Sequence, residues 1–161
     1  NSEIVNSFES SRYQKISEMV TKVSFYAKAV NSLGGEDVRI SKRLFMPSSK
    51  LRGFESGKVG PIENNDYIGG NYISALNLSA TLPKFLPSFQ NMDFSLFVDA
   101  ANIWGVDYNS SIDNNKIRSA TGVTMNLLTP IGPLNFSLSQ PITKSSTDKT
   151  ESFRFNLGTT F

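Results

Sequence analysis

Five stretches in this 161-residue chain alternate apolar and polar residues with a period of two, and that alternation constrains the fold more than any other feature. In "NYISALNLSATLP", Tyr72, Leu76, Leu78 and Leu82 share a face with Ser74 and Ala80, opposite Ile73, Ala75, Asn77, Ser79 and Thr81. "MDFSLFVDAANIW" groups Met92, Phe94, Leu96, Val98, Ala100 and Trp104. "KIRSATGVTMNLL" groups Ile117, Val123, Met125 and Leu127, and "GPLNFSLSQP" groups Leu134, Phe136 and Leu138. The closing "ESFRFNLGTTF" sets Phe153, Phe155, Leu157 and Phe161 against Ser152, Arg154, Asn156, Gly158 and Thr160. Upstream, "TKVSFYAKAVNS" is a sixth strand with Val23, Phe25, Ala27 and Ala29 on one side, and "SSRYQKISEMV" is read as a seventh whose facing its poor alternation leaves open. Each is close to the length of a tilted membrane strand.

Alternation alone allows a soluble sandwich as well as a membrane barrel, so the polar faces have to decide. A soluble sheet shows water many Lys, Glu and Arg, whereas these faces carry mainly Ser, Thr, Asn, Gly and Ala with isolated charges such as Asp93, Asp99, Arg118 and Arg154. Small polar residues suit a crowded wet lumen. The connectors agree: after a long segment from about Gly34 to Gly70, the proline-marked "PKFLPSFQN" and tight "TPIGP" interleave with polar "GVDYNSSIDNN" and "TKSSTDKTE". Short turns at one end and longer loops at the other are the asymmetry of an outer-membrane barrel, and Trp104 and Phe161 at strand ends fit its interfacial aromatic girdles.

Composition narrows the chemistry. With no Cys and no His, thiolate nucleophiles, disulfides, the usual zinc sites and the common neutral-pH general base are excluded. A net charge of +2 with 19% charged residues names no polyanion, so no nucleic-acid partner is expected. Mean hydropathy of −0.22 does not bear on membranes, because barrel strands average out. The first residues, "NSEIVNSFES", lack a basic region followed by an apolar one and are not a signal peptide; the start is expected to reflect processing or truncation. "GFESGKVG" is not a phosphate-binding loop, since Gly53 and Gly57 are too close and Val59 follows Lys58. The pairs Asp93/Asp99 and Asp107/Asp113 are read as a lumen acid and solvated loop acids, not as glycosidase carboxylates. No enzyme and no cofactor is expected.

"KLRGFESGKVGP" carries a family resemblance. Leu51-Arg52-Gly53-Phe54, followed after about fifteen residues by Gly69-Gly70 and an alternating strand, resembles the Arg-Gly-Phe motif in the sixth extracellular loop of the BamA family of outer-membrane assembly factors. "FVDAANIW" is similar to the family's Phe-x-Asp-x-Gly strand, "TPIGPLNFSLSQP" to its Gly-Pro hairpin, and "FRFNLGTTF" to its terminal strand, all in family order from about Tyr13 onward.

The resemblance implies an all-β antiparallel transmembrane barrel portion of about seven strands from a sixteen-stranded barrel, with residues 1–161 as its C-terminal part. It implies a lock in which Arg52, with Gly53 and Phe54, meets Asp99 on the wall, and a gate at the terminal strand of Phe153, Phe155, Leu157, Gly158 and Phe161. The family glycine two positions after the aspartate is Ala101 here, and Ser79 stands where many members carry a glutamate, which suggests a weaker lock. The implied function is assembly and insertion of nascent outer-membrane proteins in the bacterial outer membrane by lateral opening and strand templating. Outer-membrane lipids, client proteins and accessory lipoproteins are the implied partners. A related polypeptide-secreting or autotransporter-assembling barrel, and a soluble all-β binding module, are the rival readings.

Overall fold

The computed structural model describes residues 2–84, 88 and 90–158. Seven strands form one sheet: β1 (Glu3–Ile16), β2 (Met19–Ser32), β5 (Tyr72–Thr81), β6 (Met92–Trp104), β7 (Arg118–Thr129), β8 (Gly132–Thr143) and β9 (Phe153–Leu157). They are ordered β1-β2-β5-β6-β7-β8-β9 and every neighbouring pair is antiparallel. A two-residue-by-two-residue hairpin, β3 (Ile62–Glu63) and β4 (Asp66–Tyr67), sits inside the long connection from β2 to β5, turned by Asn64 and Asn65 at positive φ. The connections 33–71, 105–117 and 144–152 lie at one end of the sheet. Residues 17–18 and 130–131 turn at the other end, where 82–84 also leave β5 and 90–91 lead into β6; of "PKFLPSFQN" the residues Phe85, Leu86, Pro87 and Phe89 lie outside the described ones.

The N-terminal pair differs from the sequence reading. "SSRYQKISEMV" is not a strand of its own: it is the end of β1, a turn with Ser17 at φ 56, and the start of β2. β1 begins at Glu3, in a stretch with no period-two signal because Ser10, Arg12 and Gln14 on one face are as polar as Glu9, Ser11 and Lys15 on the other. Fourteen-residue pairing with β2 defines this strand, not its own pattern.

The two sheet faces are inverted relative to a soluble domain. Leu76, Leu78, Phe94, Leu96, Val98, Val123, Leu138, Phe153, Phe155 and Leu157 form a bare apolar outer face. The inner face, with Ser24, Ser95, Asp99, Ala101, Ala120, Thr124, Ser137 and Ser139, is buried. What buries it is the connection 33–71, which folds back and contributes Val38, Leu44, Met46, Leu51, Phe54 and Val59 to a core completed by Val30, Ile73, Ala75, Ala101, Ile103 and Ala120 from the wall. The long segment is therefore a packed plug. Its root is held by Leu44 pairing both ways with Gly70, at 2.8 and 2.9 Å.

Candidate functional site

The plug carries Arg52 to β6. Its Nε donates to Asp99 Oδ2 at 2.7 Å, its Nη2 to Oδ1 at 2.7 Å, and its backbone N–H adds a bond to Oδ2 at 3.0 Å. This is a bidentate, charge-assisted pair reinforced by the main chain. Asp99 is fully buried and Arg52 nearly so. The guanidinium also lies over the Phe97 ring, 3.9 Å from its centroid. Phe97 occupies the inner face because Gly122 on β7 leaves the space: a Cβ there would come within 2.8 Å of the ring. Alternation groups large residues on the outer face, so an aromatic out of phase with it was the signal available for Phe97, which sequence reasoning passed over.

Gly53 and Phe54 continue the contact. Gly53 takes φ +91, and a Cβ on it would stand 2.9 Å from the Ser139 Cβ and 3.2 Å from that of Ala120, so the loop tip lies flush on small wall residues. Phe54 is buried behind it and bridges to Thr150. Asn77 donates to Lys50 O at 2.8 Å, and Lys50 pairs with Glu9 on β1. Ser79 lines a cavity of about 100 Å³ beside Arg52, together with Glu9, Lys22 and Asn77. Ala101, at the family glycine position, faces the same interior, 3% exposed.

Asp107 and Asp113 are not the merely solvated loop acids the sequence suggested. Asp107 accepts from the Val38 N–H at 2.8 Å and the Asn71 amide at 3.0 Å, and pairs with the buried Arg43. Partial desolvation pushes this carboxyl up, but those two hydrogen bonds and the Arg43 charge outweigh it and hold its pKa below the ordinary carboxylate value. Asp113 accepts from the Gly105 N–H at 3.1 Å.

Among the described residues the last strand is the shortest of the sheet, five residues against ten to fourteen elsewhere. Phe153, Phe155 and Leu157 are about half exposed on the outer face, and Phe136 of β8 packs on Phe155 and Phe153 with ring centroids 5.1 and 6.4 Å apart. Gly158 leaves the strand at φ +86 with open space where a Cβ would be, its N–H still donating to Pro133 O at 2.7 Å. Phe161 lies outside the described residues.

Residues 6–161 match the Omp85 superfamily domain. The outer membrane protein assembly factor BamA of Neisseria meningitidis serogroup B is 33% identical over 69% of this chain, which spans 17% of that protein. The crystal structure of BamA from Haemophilus ducreyi lacking POTRA domains 1–3 superposes with a TM-score of 0.78 at 27% identity, covering 95% of this chain and 34% of that one. That Neisseria relative is, by its name, an assembly factor and not an enzyme. A seven-stranded sheet with a bare apolar outer face, a plugged polar inner face and this match along nearly its whole length establishes that the chain belongs to the Omp85 superfamily, as part of a BamA-like barrel of the bacterial outer membrane.

Proposed function

We propose that residues 1–161 are the C-terminal part of a sixteen-stranded BamA-type barrel, with the plug as its sixth extracellular loop, and that the complete protein inserts nascent outer-membrane proteins. The observation that carries this reading is the closing strand, joined to β8 by five register pairs and followed by Gly158 at φ +86. A short strand with a glycine exit is the weakest-held edge of the wall. When it parts from the first strand, unpaired backbone donors and acceptors are exposed, and a client strand adds to them by β-augmentation. The Arg52–Asp99 pair seats the plug tip against β6 while the edge stays paired. Local bilayer thinning beside a short seam lowers the barrier further. No bond is made or broken and no cofactor takes part; the partners are outer-membrane lipids, client barrels and accessory lipoproteins.

The test is covalent closure of the seam. In the complete protein, a disulfide between engineered cysteines on the first and last strands is expected to block client insertion, leave the barrel folded and release the block on reduction. Full insertion with the seam verifiably closed overturns templating and favours passage through the lumen, as in a polypeptide-secreting relative.

A further inference from the structure

Arg118 and Asp148 form the one ion pair among the described residues with both side chains fully buried. Arg118, on the inner face of β7, uses its whole fork. Nε and Nη2 reach the two Asp148 oxygens at 2.9 and 3.3 Å, while Nη1 donates to Asn102 Oδ1 and to the carbonyls of Asn114 and Lys116 at 3.2, 3.2 and 2.8 Å. Asp148 in turn accepts from the Gly60 N–H of the plug at 3.2 Å and from the Ser145 N–H at 2.7 Å. One carboxylate thus joins the wall, the plug and the β8–β9 loop.

The residues that follow Asp148 are shared between the plug tip and the closing strand. Lys149 N donates to Lys58 O and Glu55 N to Lys149 O, both at 3.0 Å, Glu151 N donates to Gly53 O at 2.9 Å, and Ser139 N of β8 donates to Ser152 O at 2.8 Å. Phe153 then opens β9. Between a fully buried charge node and the start of the closing strand there is no slack segment. We infer that Arg118 and Asp148 are positioning residues that couple the seating of the plug tip to the pairing of the closing strand, so that both are engaged or both released.

The physical reason is the cost of partial release. Displacing β9 at its root breaks the Glu151–Gly53 bond next to Arg52, and displacing the node leaves the Arg118 charge buried without its counter-ion. Gly53, already against Ser139 and Ala120, cannot follow an outward-moving strand and stay seated. From Asp148 to Gly53 the hydrogen bonds run without a break, and contiguous chains of this kind are a physical route for coupling between sites.

This inference rests on the gating role proposed above, and its test reads coupling separately from insertion. Two reporters are placed in the full-length protein with any other cysteine removed: Ser139→Cys, shielded by the plug tip, and Asn156→Cys, on the inner side of β9. Asp148→Asn is expected to raise maleimide labelling of both by about fivefold or more, the low end of typical site–site coupling. Glu151→Pro, which removes the N–H donated to Gly53 O and the carboxylate facing Arg154 but leaves Arg118 and Asp148 in place, is expected to raise both as well, and unheated gel mobility confirms that each variant remains a folded barrel. Labelling of either reporter without the other, or of neither, in either folded variant overturns the coupling. Coupled labelling with undiminished client insertion upholds the linkage and counts against templating instead.

Discussion

The Arg52 guanidinium meets the Asp99 carboxylate edge to edge, two parallel bonds of 2.7 Å, at a point where Asp99 has no access to solvent. Removing Arg52 therefore strands a buried carboxylate, whereas removing both partners does not. A double-mutant cycle with Arg52→Ala and Asp99→Ala is expected to show a coupling of about 0.5–3 kcal/mol in denaturant unfolding of the complete barrel. Arg52→Lys should behave nearly as badly as Arg52→Ala, because an ammonium cannot reproduce the fork or the stacking on Phe97. Strict additivity of the two alanine variants would contradict the pairing.

Beside this pair, the cavity lined by Ser79 has room for a longer acid. Ser79→Glu is expected to give the guanidinium a second counter-ion and to raise thermal stability by about 1 kcal/mol, roughly 2–4 °C in the unfolding midpoint. A lower midpoint, with the barrel otherwise folded, would mean that Glu9 already supplies the negative charge the site tolerates.

The outer and inner faces predict opposite responses to charge. Leu96→Arg, on the bare apolar face, is expected to cost about 2–4 kcal/mol in the membrane-embedded barrel. Asn126→Arg, on the inner face and in register with Asp93, is expected to cost much less. Comparing the two by denaturant titration in lipid vesicles checks the assignment, and equal costs would reverse it.

Acid should loosen the root of the plug. The Asp107 pKa is lowered from 3.8 in the folded chain, so its contribution is complete above that value and is lost as pH falls through the depressed one. Limited proteolysis of the 33–71 connection is therefore expected to stay constant at neutral pH and to rise only below about pH 4. Asp107→Asn should raise cleavage at neutral pH and flatten this acid dependence; an unchanged profile would place the acid-sensitive contact elsewhere.

The strand pattern and the identity of the two faces were legible in the sequence because side-chain alternation is local: Leu96 and Ser95 point to opposite sides whatever lies beyond them. The small residues of the inner face were legible too, and so were Arg52 and Asp99 as members of recognisable motifs. Three things belonged to the tertiary structure alone. β1 became a strand through pairing with β2, since polar residues on both its faces leave no period to read. The segment from Gly34 to Gly70, which reads as a Gly-bearing connection, became a packed plug only because the inner wall offered Leu51 and Phe54 a dry surface that no local pattern announces. Arg118 and Asp148 are 30 residues apart and neither sits in a telling motif. Their meeting depends on where β7 and the β8–β9 loop lie once the sheet is complete, and a buried charge finds its partner by geometry that sequence spacing does not encode.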